Sequence, residues 1–170
     1  YFLYSLAIIS YAILRLPRLL YDAARHGKYI GTLGERWGRL SAAINPRGVP
    51  SIWIHAVSVG EVLATGALIP ALRDRYPDHP LWLSTTTQTG RSAATGLDGI
   101  DGLFYFPVDL PAVVARVLDR VRPELFVMVD TELWPTLLRH CTLRGVKTML
   151  VNGRISDRSY PRYRLVRPFF

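Results

Sequence analysis

The chain has 170 residues, 49% of them hydrophobic and 20% charged, enough for one real core with an appendage beside it. Its net charge of +8 is uneven: residues 1–50 carry seven Lys/Arg against two acids, residues 154–170 five Arg against one Asp, and the stretch between is close to neutral. Charge gathered at two places points to an anionic surface or, in the blander reading, to a solvated basic face; nucleic acid is disfavoured because aromatics do not interleave with the basic residues across a sheet face.

Residues 1–14 contain no charge, and Arg15, Pro17, Arg18, Arg25 and Lys28 follow closely. Fourteen residues fall short of the roughly 20 that a hydrocarbon core requires. Three readings stand: a span lacking its first residues, a helix lying in the interface, and a buried core helix. Tyrosines and arginines flank the run as interfacial anchors do, which favours a membrane anchor and basic flank over residues 1–28, the flank on the cytoplasmic side. No small-residue cleavage site follows, which argues against a removable signal. The next segment, 29–50, holds Gly34-Glu35-Arg36-Trp37-Gly38 and a Pro- and Gly-marked linker.

From Ser51 onward short apolar runs alternate with helical stripes, so residues 51–170 read as a Rossmann-like unit. Ile52–Val57 predicts a strand, and a helix over Glu61–Tyr76 should be kinked by Pro70. A strand at Leu81–Thr85, a short helix near Arg91–Leu97 and a brief strand at Leu103–Phe106 come next. After Pro111, Val113, Val114, Val117, Leu118 and Val121 form a one-sided stripe with Arg116, Asp119 and Arg120 opposite. Leu125–Val129 reads as a strand covered on both faces. A helix over Leu133–Arg144 ends at Gly145, and Lys147–Val151 is the last strand. The single Cys141, on that last helix, excludes a disulfide framework and fits a reducing compartment. The alternation predicts an α/β fold with a doubly wound parallel sheet. The chain begins with Tyr rather than Met and closes on Phe169-Phe170 directly after a basic stretch, so a fragment of a longer protein is expected.

In such sheets ligands bind beyond the carboxyl ends of the strands, which singles out four strings. Ser58-Val59-Gly60-Glu61 has capping-box spacing, with Glu61 reaching back to the Ser58 amide; alternatively, Gly60 lets an anion approach a helix N-terminus. No GxGxxG is present, so NAD binding is unsupported. Thr85-Thr86-Thr87-Gln88-Thr89-Gly90 offers hydroxyls and amides to a sugar or phosphate, or Thr87 or Thr89 simply caps a helix. Asp130-Thr131-Glu132 places two carboxylates at a strand end, with Trp134 beside them at the expected ligand edge; a Glu at a helix start also complements the dipole. Asn152-Gly153-Arg154 is the fourth string. Outside the sheet, Glu35 between Gly34 and Gly38 is a candidate near the predicted membrane segment. His55, late in a buried strand, reads as a core histidine. No His/Cys cluster has metal-ligand spacing and no Asp-x-Asp occurs, so neither metal nor cofactor is expected.

Taken together and in order, five strings resemble the 3-deoxy-D-manno-octulosonic acid (Kdo) transferase family. They are Gly34-Glu35-Arg36-Trp37-Gly38, His55-Ala56-Val57-Ser58-Val59-Gly60-Glu61, Thr85-Thr86-Thr87-Gln88-Thr89-Gly90, Thr131-Glu132-Leu133-Trp134-Pro135 and Asn152-Gly153-Arg154-Ile155-Ser156. The resemblance implies the acceptor-binding N-terminal half of a GT-B glycosyltransferase at the cytoplasmic face of a bacterial inner membrane. It implies CMP-Kdo as donor, bound mainly by a second domain, and lipid A precursor as acceptor. It places the catalytic base at Glu35 and a second functional carboxylate at Glu132. Substrate contacts are expected at Ser58, Gly60, Glu61, Thr87, Thr89, Gly90, Trp134, Asn152 and Arg154. Asp130 stands where many relatives are expected to have Glu, and Gly153 where Ala is expected. Two alternatives remain: another membrane-associated GT-B transferase, for which a Gly-rich first loop would be expected, or a non-catalytic membrane-tethered Rossmann-like module.

Overall fold

The computed structural model describes residues 4–14, 30–131, 133–154, 160 and 164. Its strands are β1 (Ser51–His55), β2 (Leu81–Thr85), β3 (Gly102–Tyr105), β4 (Pro123–Val129) and β5 (Lys147–Val151). All pair in parallel, in the order β3-β2-β1-β4-β5. The chain thus steps outward from β1 to β3, crosses back to the far side of β1, and continues to β5. That reversal sets the tips of β1 and β4 side by side, the place where an open α/β sheet holds its ligand.

The helices are α1 (4–14), α2 (Leu33–Arg36), α3 (Val59–Ala64), α4 (Leu68–Arg75), α5 (Gln88–Ala94), α6 (Pro111–Val121) and α7 (Pro135–Leu143). Period-two alternation sends successive strand residues to opposite faces. One face carries Trp53, Trp82, Phe104, Phe126 and Met128 under α6 and α7, the other Ile54, Leu81, Leu83, Val127 and Val129 under α3, α4 and α5. The stripe predicted on α6 is buried at all five positions. β5 is an edge strand, and its Lys147 to Leu150 are exposed.

The helix predicted over Glu61–Tyr76 is two helices, broken at Thr65, Gly66 and Ala67. The Thr65 hydroxyl donates to the Val62 carbonyl at 2.6 Å, and the Thr65 carbonyl accepts the first bonds of α4 from Leu68 and Ile69. Pro70 therefore lies in the first turn of α4, where its missing N–H costs nothing. The break comes before the proline. At the other end of the fold, α7 stops as predicted at Gly145 (φ +69°). The Gly145 amide bonds Thr142 O and the Val146 amide bonds Cys141 O, the two bonds of a Schellman motif.

Among the described residues no helix is long and apolar enough to cross a membrane. The described part of α1 rises about 16 Å, and its Leu6, Ile9, Tyr11, Ile13 and Leu14 are exposed. Tyr4 ties it to the body by donating to Asp109 Oδ2 at 2.9 Å. The basic flank at Arg15, Arg18, Arg25 and Lys28 lies outside the described residues.

Candidate active site

Glu35 sits on α2, a single turn of four residues, which the body of the fold holds over the carboxyl ends of β2 and β3. The Arg36 carbonyl accepts from the Val108 amide at 2.8 Å, and Arg36 Nη2 donates to the Thr86 carbonyl at 2.6 Å. The Glu35 carboxylate is gripped through one oxygen: Oε2 accepts the Tyr105 N–H at 2.7 Å and Arg91 Nη1 at 2.9 Å. The Arg36 and Arg91 guanidinium groups lie 4.6 and 4.7 Å from the Tyr105 ring centroid, within cation–π range. Thr32, Arg36, Thr86, Thr87, Gln88 and Tyr105 line a cavity of about 170 Å³ beside this carboxylate. A larger groove of about 590 Å³ opens at the amino ends of the strands, around Ile52, Glu124 and Lys147. The carboxyl edge is where loops and helix starts present amides and hydroxyls to a ligand, so the smaller cavity is the better candidate.

The loop after β1 packs directly on the loop after β2. Thr87 caps α5, its Oγ accepting the Gly90 amide and donating to the Val57 carbonyl, each at 3.0 Å. Gly90 is demanded by that contact: a Cβ would lie 2.9 Å from both Val57 O and Thr87 Oγ1. Thr89 donates to Thr87 at 3.4 Å. Ser58 caps α3, and Glu61 closes the box in a variant form. Its Oε2 accepts the Val57 amide and its Oε1 the Ser58 hydroxyl, both at 2.7 Å, instead of the Ser58 amide expected. Gly60 faces open space in the first turn of α3. Glu35, Ser58, Gly60, Glu61, Thr87, Thr89 and Gly90 thus share one continuous rim, with Ser58, Glu61, Thr87 and Gly90 also engaged in building it.

Of the remaining predicted residues, Asn152 and Arg154 lie just past the end of β5. Asp130 and Asn152 directly follow β4 and β5 with φ of 62° and 53°, a left-handed backbone that Asp and Asn tolerate better than most residues. Thr131 Oγ1 accepts the Arg154 amide at 2.9 Å and donates to its carbonyl. Glu132 lies outside the described residues. Trp134 is placed differently from expectation. Its ring packs on the core, 4.8 Å from Phe106 and 6.4 Å from His55, because a large ring at the head of α7 meets the aromatic end of that face. Its indole N–H has no partner among the described residues.

Sequence reasoning missed three contributors. Arg91 and Tyr105 reach Glu35 from 56 and 70 residues away, and no local pattern marks such contacts. Asp109 precedes α6 and looks like its cap, yet caps α7, accepting the Thr136 amide at 2.9 Å and the Leu137 amide at 2.8 Å. Burial pushes this carboxyl above the ordinary Asp value, partly offset by its hydrogen bonds. His55 is a core residue as read: fully buried and stacked on Phe106 at 3.9 Å, with Nδ1 within 3.1 Å of Ser84. Burial lowers its pKa to about 3.

A carboxylate over the strand ends of a parallel sheet, beside hydroxyl-lined loops, is an arrangement suited to proton abstraction from a polar substrate. The comparisons with known proteins narrow this. Residues 31–170 match the family described as 3-deoxy-D-manno-octulosonic-acid transferase (kdotransferase), and the chain belongs to that family. A 3-deoxy-D-manno-octulosonic acid transferase from Haemophilus influenzae is 38% identical over 138 residues, covering 80% of this chain and 32% of the relative. One from Chlamydophila psittaci is 31% identical over 173 residues, covering 99% of this chain and 39% of the relative. A bifunctional glycosyltransferase/methyltransferase from Fusobacterium nucleatum is 38% identical over 116 residues, covering 66% and 18%. The chain therefore spans less than two-fifths of the length of these relatives.

Proposed function

We propose that the full-length protein transfers Kdo from CMP-Kdo to a lipid A precursor, and that these residues supply the acceptor side of a GT-B enzyme. The observation that carries the reading is the Glu35 carboxylate, held at the carboxyl edge of the sheet beside the Thr86–Gly90 loop. In an inverting transfer one base takes the proton of the acceptor hydroxyl. The freed oxygen then bonds to the anomeric carbon as the bond to CMP breaks, and CMP leaves with the electron pair. Glu35 is the base in this reading. Glu132 lies four residues from Thr136, the first amide that Asp109 caps, and serves as a second carboxylate on the acceptor. Gly60, Thr89, Asn152 and Arg154 are the predicted site residues most available to substrate, whereas Ser58, Glu61, Thr87 and Gly90 shape the rim and Trp134 backs it from the core.

The exposed apolar surface of α1 supports the interfacial reading of the N-terminal segment: a short helix laid on the cytoplasmic face of the inner membrane, presenting the site to a lipid-borne acceptor. The basic residues that follow it suit anionic headgroups and the phosphates of that acceptor.

Incubation of the full-length protein with CMP-Kdo and lipid A precursor tests the proposal. It predicts CMP release coupled one-to-one to a Kdo-bearing lipid and dependent on both substrates. CMP release without a glycosylated lipid, or transfer only to a non-lipid acceptor, would count against it. Residues 1–170 alone are predicted to transfer nothing, because the donor site is assigned to the rest of the protein.

A further inference from the structure

We infer that Arg91 is a positioning residue for Glu35, fixing one carboxylate oxygen so that the other faces the acceptor hydroxyl; the inference rests on the reading of Glu35 as base. Both bonds to this carboxylate fall on Oε2, and no described residue bonds Oε1. A carboxylate held through both oxygens would have nothing left for a proton; one held through neither would sample rotamers that point away from substrate. The arrangement here does neither.

Three features separate this contact from an ordinary surface pair. Arg91 is anchored on α5, whose start is locked by the Thr87 cap and by the close approach of Gly90 to Val57. Its guanidinium lies against the Tyr105 ring at 4.7 Å, and the same Tyr105 supplies the second donor to Oε2. Arg91 and the Tyr105 amide are therefore set against each other by one ring, and any shift of the guanidinium moves one of the two holds on Glu35. Finally, the pair is partly exposed, with side chains 31% and 24% accessible. Pairs of that kind contribute little to stability, so stability alone does not account for an amide and a guanidinium converging on one oxygen with a ring packed against that guanidinium. Orientation does, since misplacing a reacting group by about 1 Å costs on the order of 100-fold in rate.

The test uses the full-length protein as wild type, Arg91→Ala, Arg91→Lys, Glu35→Gln and the Glu35→Gln/Arg91→Ala double variant, with Kdo transfer and thermal unfolding measured for each. Arg91→Ala is expected to lower kcat by on the order of 100-fold, with the acceptor KM and the melting temperature little changed. Arg91→Lys keeps the charge and stem without the planar fork, and recovers part of the rate. In the Glu35→Gln background Arg91→Ala should change the residual rate by less than about twofold, because two groups acting as one unit do not lose activity additively. An equal fall in both backgrounds, a rise in KM with kcat intact, or a lowered melting temperature that accounts for the loss would overturn the role assigned to Arg91. A large loss in Glu35→Gln with Arg91→Ala at the wild-type rate overturns this inference and leaves the base in place. Glu35→Gln at the wild-type rate removes the base reading and this inference with it.

Discussion

His55 ends the central strand with its ring sealed beneath Phe106 and Trp134, and that burial has a consequence for pH. Its pKa falls from 6.5 to about 3 because the folded interior disfavours the imidazolium. The unfolded chain therefore binds a proton that the folded one refuses. The stability this residue contributes is complete above pH 6.5 and is lost as pH falls from 6.5 toward 3. Going from pH 7 to pH 5 should cost about 2 kcal/mol through His55 alone. Urea midpoints of wild type and His55→Gln across that range measure it: the wild type should lose ground relative to the variant on acidification, and parallel curves would contradict the assignment. At the same scale the sequence was readable where a partner lies within a few positions. Ser58 and Glu61 are three residues apart, and the capping reading survives with the donors to Glu61 changed from the Ser58 amide to the Val57 amide and the Ser58 hydroxyl. Glu35 could be named from its motif, whereas Arg91, Tyr105 and the single held oxygen depend on contacts that only the folded chain makes.

Elements were legible where a period or a stop residue marked them. The α6 stripe and the Gly145 stop needed no tertiary information, and each lies where predicted. Pro70 predicts a kink inside one helix over Glu61–Tyr76. The structure instead ends α3 at Thr65 and restarts at Leu68, turning the proline into an acceptable first-turn residue. The start of α7 was legible only in part. Pro135 is its first residue, Trp134 offers no cap, and the next two amides are satisfied by Asp109 from across the fold. Asp109→Ala should therefore cost about 1–3 kcal/mol by leaving those amides buried and unpaired, whereas Tyr4→Phe removes one bond to the same carboxylate and should cost about 1 kcal/mol. Chemical denaturation of the two variants checks the ranking, and equal losses would contradict it. Gly90→Ala is the matching test of the rim: a methyl group 2.9 Å from a backbone carbonyl forces α5 and the first loop apart. It should destabilise by about 1–3 kcal/mol and lower transfer at the same time.

For the molecule as a whole, the alternation of apolar runs and stripes was enough to define a parallel α/β sheet, and the ordered strings were enough to point to the family that residues 31–170 match. Strand order, which brings the β1 and β4 tips together, came only with the structure. The membrane relation rests on α1, whose exposed apolar residues have no cover among the described parts of the chain. If that surface meets lipid, replacing Ile9 and Ile13 with Ser in the full-length protein should shift it from sedimenting with anionic vesicles to remaining in the supernatant. Unchanged sedimentation would assign membrane contact elsewhere. The claim on which everything else depends is that Glu35 takes the acceptor proton. Kdo transfer by full-length Glu35→Ala, with acceptor binding measured on the same preparation, tests it most directly. The account predicts a fall of several orders of magnitude in turnover with acceptor affinity retained; turnover near the wild-type rate would contradict it and move the base to another residue.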